Sequence, residues 1–282
     1  MKKALWFARQ SFFLDVKFLQ VSPWNPIKKI EFLLKKYWLI FKHYYRRFIL
    51  GKHAVRLFGS EIYYDTQYGL TGYQSILARH QDLMRLARVK RAEAVVDIGA
   101  NVGFFSMLCR DLFPNARIYA IEPVPQIYEC LQKNFLGDSK AIFSDTAISD
   151  MNGQTTMSFD SDLSTISHLS TEGNILVQTE TLDSFVNRNN IKSIDILKID
   201  VETFEAHVLR GASRSLAMTK VLFIEITMEN NRNYTISSLL KMLASDTYDY
   251  QLVGFRNYAD KSQGEMPIMD AVFRNIKIAE ND

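Results

Sequence analysis

From residue 93 to residue 255, short apolar runs alternate with stretches of helical periodicity, and this narrows the possible folds more than any other feature. Residues 94–98, 117–121, 141–144, 195–199 and 221–226 are brief runs rich in Val, Ile, Ala and Phe. Between them, residues 104–113, 125–135, 202–210 and 236–245 repeat apolar positions at three- and four-residue steps. Pro114-Asn115 and Gly211 mark two of the helix ends. Parallel strands need a crossover to return, so this alternation predicts an α/β fold with a mostly parallel sheet covered on both faces. The runs at 250–255 and 271–274 have no helix between them and are expected to pair antiparallel. Residues 155–159 and 175–179 read as an inserted pair of strands, and 181–187 as a short helix. At 282 residues and 47% hydrophobic, the chain suits one globular domain with an extra segment attached.

That extra segment is at the N-terminus. Residues 1–56 hold 13 Lys and Arg against Asp15 and Glu31, although the whole chain is only +3. Trp6, Trp24 and Trp38 all fall there. Residues 1–58 read as two basic, aromatic-rich helices split near Ser22-Pro23-Trp24-Asn25-Pro26. In the second, Ile30, Leu33, Leu34, Trp38, Phe41, Tyr45 and Phe48 form a stripe, with Lys35, Lys36, Lys42, Arg46 and Arg47 interleaved. Residues 59–92 read as a connecting region ending in a helix over 73–87, and 93–282 as the main domain. Two readings stand for residues 1–58: contact with an anionic membrane surface or a lipid-linked substrate, or a cap packed on the main domain. Nucleic-acid binding is disfavoured, because no recognisable module accompanies the basic charge. No run is long and uncharged enough for a transmembrane helix, and the start lacks a secretory signal's apolar core. Cys109 and Cys130 lie in apolar helical stretches and read as reduced, buried thiols. A cytoplasmic protein follows, with room for peripheral contact at the inner face of a membrane.

In sheets of this type ligands bind at the carboxyl ends of strands, where strand order reverses. The first strand of the main domain ends in Asp97-Ile98-Gly99-Ala100-Asn101-Val102-Gly103. Gly99 and Gly103 are expected to let backbone approach a ligand and to start the next helix tightly. Glu122 closes the second strand, 23 residues after Gly99. A carboxylate there can accept from both hydroxyls of a ribose. A dinucleotide site would use G-x-G-x-x-G, but Asn101 and Phe104 stand at the second and third glycine positions. Asp97 would repel phosphates and suit a ligand carrying an ammonium and a sulfonium. The charge therefore favours S-adenosylmethionine over NAD. The alternatives are an NAD-dependent oxidoreductase on a Rossmann-like sheet and a catalytically inactive, membrane-associated scaffold.

With these residues in view, the chain resembles the FkbM-type methyltransferases from about Val95 to Glu225. The resemblance covers Val96 to Gly103, then Ala120-Ile121-Glu122-Pro123-Val124-Pro125, and Ala147-Ile148-Ser149-Asp150 with Gly153. It continues through Thr181-Leu182-Asp183 and Ile196-Leu197-Lys198-Ile199-Asp200-Val201-Glu202. Glu205, Leu209-Arg210-Gly211-Ala212 and Phe223-Ile224-Glu225 complete it. The order and spacing of these blocks are far more specific than the glycine loop alone. One departure is Thr203, where the family usually has glycine just after the Asp-Val-Glu block. Residues 1–58 lie outside the resemblance. It implies a class I methyltransferase fold: a mostly parallel seven-stranded sheet with an antiparallel terminal hairpin. It also implies methyl transfer to a hydroxyl, often on a sugar, glycolipid or natural product. By this similarity Asp97, Gly99, Asn101, Gly103 and Glu122 match the cofactor site, and Asp145 and Thr146 lie near the adenine.

The second constellation is Lys198, Asp200, Glu202 and Glu205. Methyl transfer needs acceptor oxygen, methyl and sulfur in line, and it needs the acceptor proton removed. Asp200 closes its strand, and Lys198 shares its face by alternation. Asp200 reads as a base or metal ligand with Lys198 as electrostatic partner, or as the N-cap of a helix over 202–210. Glu202 joins the catalytic group. Asp200, Glu202 and Glu225 could together hold a divalent cation. His207 reads as a surface or satisfied core residue.

Overall fold

A computed structural model describes residues 15–16, 18–20, 22, 24–45, 53–57, 60–64, 80–158, 168–169, 175–227, 234–257 and 268–278. A seven-stranded sheet forms the centre. Its five parallel strands are β3 (Ala94–Ile98), β4 (Arg117–Ile121), β5 (Ala141–Ser144), β10 (Ile194–Ile199) and β11 (Thr219–Thr227). The antiparallel hairpin of β12 (Tyr250–Asn257) and β13 (Ile268–Asn275) completes it, in the order β12-β13-β11-β10-β3-β4-β5. The chain builds outward from β3 through β4 to β5, then returns to β3's other side with β10. The switch point therefore lies between the carboxyl ends of β3 and β10, where Lys198 is paired with Asp97.

Alternation along the strands divides the core. Val95, Ile118, Ala120, Ile196, Val221 and Phe223 face one side, against Phe105, Leu108 and Cys109 of α2 (Phe104–Leu112). Val96, Ile98, Tyr119, Leu197, Ile199 and Ile224 face the other, against α4 (Leu182–Arg188), α5 (Glu205–Arg210), α6 (Ser213–Ala217) and α7 (Ile236–Lys241). Helix α3 (Pro125–Asn134) starts on a proline and contributes Ile127, Cys130 and Leu131 to buried clusters. Cys109 and Cys130 are both free and buried.

Several blocks of the resemblance act as joints. Thr181 caps α4 by accepting from Ser184 N–H. Asp183 Oδ1 accepts from Ser215 N–H at 2.8 Å, holding the start of α6. Gly211, at the end of α5, passes so close to β6 (Ala147–Ser149) that a Cβ would lie 2.3 Å from the Ser149 carbonyl oxygen. Arg210 pairs with Asp150 at 3.0 Å beside it.

The structure departs from the sequence expectations in three places. The helical reading of 1–58 and 59–92 misses a hairpin of β1 (His53–Leu57) and β2 (Ser60–Tyr64). Its short β-branched and aromatic runs are bounded in sequence by Gly51 and Gly59. The inserted strand pair belongs to a four-stranded sheet, β6-β9-β7-β8, of β7 (Gly153–Ser158), β8 (His168–Leu169), β9 (Ile175–Thr181) and the unanticipated β6. The helix expected from 202 starts at Glu205. Residues 1–14, 46–52 and 73–79 of the expected helices lie outside the described residues, as does Phe159.

The described part of residues 15–37 packs on the main domain. Helix α1 (Pro26–Tyr45) begins on Asn25, whose Oδ1 accepts from Lys28 N–H at 3.0 Å. Phe18 and Phe32 are fully buried with Leu83, Phe105 and Leu108, and Trp24 donates to Asp111 at 2.9 Å. The contact face is not the expected stripe: Ile30 and Leu34 are exposed. Lys36, one of the interleaved lysines, is buried and paired with Asp15 at 2.6 Å. Burial lowers its pKa, opposed by Asp15.

Candidate active site

The loop after β3 makes a left-handed turn at Gly99, Asn101 and Gly103, with φ of 71°, 51° and 92°. Asn tolerates this region better than most residues. Asn101 Oδ1 accepts from Val102 N–H at 2.7 Å, and Asn101 N–H donates to Glu122 Oε2 at 3.0 Å. Glu122 Oε1 accepts from Val124 N–H at 3.0 Å, so both carboxylate oxygens tie the ends of β3 and β4 together. At Gly99 the loop passes close to the end of β10: a Cβ there would fall 1.8 Å from the Asp200 carbonyl oxygen. Gly103 is the N-cap of α2, and a Cβ on it would press into Leu131 and Phe135 of the α3 region. Asn134 Nδ2 donates to Val102 O and to Tyr63 O, which fastens the β1–β2 hairpin beside this loop.

Asp97, read as a carboxylate near the loop, is fully buried. Ser106 Oγ donates to its Oδ2 at 2.6 Å, and Lys198 Nζ lies 3.5 Å from its Oδ1. Burial raises its pKa, while Lys198 and Ser106 oppose the rise. Asp145 is exposed at the end of β5. Thr146 is engaged through its hydroxyl, which donates to Glu180 at 3.0 Å and lies 2.8 Å from Ser144 Oγ.

Lys198 joins the two strand ends. Its ammonium lies 3.0 Å from Asp200 Oδ2 and donates to the Gly99 carbonyl at 3.4 Å. Burial alone would lower its pKa, but Asp200 and Asp97 outweigh it and hold the ammonium charged. Asp200 is a quarter exposed. It does not cap α5, whose N-cap is Phe204. Glu202 and Thr203 intervene with φ of 49° and 78°, outside the right-handed helical region. Thr203 thus adopts the conformation that a glycine takes without strain, and a β-branched side chain there is costly. Glu205 Oε1 holds the turn by accepting from Val201 N–H at 3.3 Å and Thr203 N–H at 3.1 Å.

The side chains around Lys198 are predominantly carboxyl groups. Among the described residues, Asp200, Glu202 and Glu225 bring carboxylate oxygens within 4.8 Å of one another. Glu225 stands opposite Asp270 across β11 and β13, and both are buried. Burial, then Asp200 and Glu205, raise the Glu202 pKa to about 8. Burial raises Glu205 to about 7. Burial, Asp200 and Glu202 raise Glu225 well above the usual carboxylate range. Asp270 was absent from the sequence reading. Its only signal was a carboxylate inside the apolar run Ile268-Met269-Asp270-Ala271-Val272-Phe273. His207 is half-buried on α5, with Phe204 stacked 4.8 Å away, and takes no part in the cluster.

The Methyltransferase FkbM domain matches residues 97–252. Hexuronic acid methyltransferase AglP of Haloferax volcanii is 27% identical over 154 residues, covering 53% of this chain and 63% of that protein. The chain therefore spans less than two thirds of that relative's length. The 2-O-methyltransferase NoeI of Sinorhizobium fredii is 27% identical over 176 residues, 56% of this chain and 72% of its own. Among solved structures, TYW2 of Pyrococcus horikoshii in complex with MeSAdo superposes with a TM-score of 0.46 at 12% identity, covering 81% of this chain and 73% of that one. The strand order, the switch point at Asp97–Lys198 and a domain match over more than half the sequence agree, and the chain belongs to the FkbM methyltransferase family.

Proposed function

We propose that this protein is an S-adenosylmethionine-dependent O-methyltransferase acting on a hydroxyl of a sugar, glycolipid or natural product. The observation that carries the reading is the meeting of two unlike groups of residues at one switch point. One is a hydrogen-bonded loop with Glu122 at its edge; the other is an acidic cluster gathered around Lys198.

The donor set suits the cofactor. A carboxylate offers about four acceptor positions, so the two backbone bonds orient Glu122 and leave capacity for ribose hydroxyls. Gly99, Asn101 and Gly103 shape the loop beneath the cofactor, and Asp145 and Thr146 bound the adenine end. Asp97 acts from below by fixing Lys198. When bound, S-adenosylmethionine supplies an electrophilic methyl group on its sulfonium. The surplus of carboxylates favours that positive charge and disfavours the pyrophosphate of NAD. Membership of a methyltransferase family weighs the same way against an oxidoreductase.

Asp200 is the proposed base. It receives the acceptor's proton as the oxygen bonds to the methyl carbon and the carbon–sulfur bond breaks. Lys198 fixes its orientation at 3.0 Å. Glu202 modulates the site as a neighbour that stays protonated up to about pH 8. A divalent cation held by Asp200, Glu202 and Glu225 is the second reading, favoured by their 4.8 Å grouping. Activity that survives a chelator excludes the cation reading. The relatives' printed names, a hexuronic acid methyltransferase and a 2-O-methyltransferase, support a sugar hydroxyl as acceptor.

The test is transfer of labelled methyl from S-adenosylmethionine to a panel of uronic-acid and neutral saccharides. Label on a hydroxyl oxygen is expected, with Asp200→Asn reducing turnover roughly a hundred- to ten-thousand-fold, as loss of a general base does. Label on nitrogen or carbon, or full turnover by Asp200→Asn, overturns the assignment. Cofactor binding without turnover on any acceptor would instead mark an inactive scaffold.

A further inference from the structure

Every N–H of the loop 99–103 is bonded within the protein. Gly99 and Ala100 N–H both donate to Ile121 O, at 3.0 and 2.9 Å, and Gly103 N–H donates to Ala100 O at 2.9 Å. Asn101 and Val102 N–H are taken by Glu122 and by the Asn101 side chain. Two of the loop's carbonyls are held by side chains, Gly99 O by Lys198 and Val102 O by Asn134 at 2.7 Å. The other partners belong to the ends of β4 and β10 or to the loop itself. Asn134 differs, because it ties the loop to Tyr63, outside the matched residues 97–252.

Asn134 is the last residue of α3. Its Oδ1 accepts from Tyr63 N–H at 2.6 Å, and its Nδ2 donates to Tyr63 O at 2.8 Å and to Val102 O at 2.7 Å. Both amide protons are thus committed, one to β2 and one to the loop. The paired bonds to Tyr63 grip the main chain of β2 much as a neighbouring strand would. Side chains reinforce the grip. The Tyr63 side chain packs against the cluster of Val102, Val124 and Ile127, and the Lys133 ammonium lies 5.4 Å from the centre of its ring. On the loop side, the missing Cβ of Gly103 leaves room for Leu131 and Phe135 of the same helix region. A two-stranded hairpin is marginal by itself, so β1 and β2 depend on these contacts. The loop depends on them in turn, because the pair of bonds to Tyr63 orients the amide that holds Val102 O.

We propose that the β1–β2 hairpin is a working part of the cofactor site, and that Asn134 is the positioning residue that couples it to the loop 99–103. The proposal rests on the S-adenosylmethionine reading above. With the hairpin docked, Asn134 holds the Val102 peptide, and with it the left-handed turn that sets Asn101 against Glu122. With the hairpin undocked, the amide loses the two bonds that orient it, and the loop loses a tether. Coupling between two sites is reciprocal, so a cofactor that needs the formed loop must also strengthen the docking of the hairpin.

The experiment is hydrogen–deuterium exchange of the full chain with and without S-adenosylhomocysteine, alongside calorimetric titration with the same ligand. In the parent, the ligand is expected to slow exchange in β1 and β2 as well as in the loop 99–103. Asn134→Asp keeps the side chain's size and an acceptor for Tyr63 N–H but removes both donors. It should weaken binding about tenfold, the loss expected where the competent loop is populated about a tenth of the time. It should also abolish the ligand's effect on exchange in the hairpin. Asn134→Ala should behave alike, which separates loss of the bonds from any repulsion by the new carboxylate. A parent whose hairpin exchange ignores the ligand would overturn the coupling alone, and this arm needs no variant. So would folded variants that exchange faster in the hairpin, or melt lower, yet bind as tightly as the parent; Asn134 would then serve the fold only. A parent that does not bind S-adenosylhomocysteine would overturn the cofactor reading itself, and the coupling with it.

Discussion

On the β4 side of the switch point, the charged groups are matched to backbone. Glu122 is held by two N–H groups, and Asn101 folds back on its own loop. On the β10–β11 side, Asp200, Glu202, Glu205, Glu225 and Asp270 crowd around the buried ammonium of Lys198. The first side is preorganised by hydrogen bonds at little electrostatic cost. The second gathers buried carboxyl groups whose ionisation is unfavourable, and such arrangements persist where a site uses them. Lys198 is the one residue serving both, through Gly99 on one side and Asp200 on the other.

Removing Lys198 should therefore have the largest effect. Lys198→Met leaves Asp97 buried beside Asp200 without its cation, and breaking a buried pair in this way costs about 3–5 kcal/mol. Denaturant unfolding should show a loss of this size. A loss under about 1 kcal/mol would mean that the carboxylates adapt without it.

Next in size is the pH dependence of stability. The folded-state pKa values of Glu202 and Glu205 lie at about 8 and about 7, above the ordinary value of 4.5. The folded protein then binds more protons than the unfolded chain between these limits. Stability from this source is complete below about 4.5 and is lost as the pH rises through 7 to 8. Melting temperatures measured across that interval should fall. Glu202→Gln should flatten the decline and melt higher than the parent at alkaline pH, with little difference under acid conditions. A parent whose melting temperature rises across the interval contradicts the arrangement.

The smallest effect belongs to the turn between the two sides. Thr203 at φ 78° carries strain that glycine would not. Against this, glycine loses more backbone entropy on folding. Thr203→Gly should gain about 0.5–1 kcal/mol, read as a melting temperature higher by about 2 °C. A destabilised variant would show that the Thr203 side chain has a role beyond the turn.

The same contrast explains what the sequence revealed. The loop side is local in sequence, because each of its residues lies at the end of a strand and is recognisable by glycine spacing and a following carboxylate. Lys198 and Asp200 were legible for the same reason, two residues apart on one strand face. The burial of Asp97 was not legible, because burial is a property of the assembled sheet: Ser106 and Lys198 cover it from α2 and β10. Asp270 could not be connected to the site, since only the antiparallel return of β13 brings it opposite Glu225. Helical spacing did not say which residues of α1 meet the core. The choice was made by Phe18, Trp24 and Phe32 packing on Phe105 and Leu108.

Calorimetric titration with S-adenosylhomocysteine tests the central claim most directly, using the parent, Glu122→Ala and Asp200→Asn, each checked for a folded circular dichroism spectrum. Binding by the parent and by Asp200→Asn, with none by folded Glu122→Ala, is the predicted result. A parent that does not bind, or a Glu122→Ala variant that binds as tightly as the parent, would contradict it.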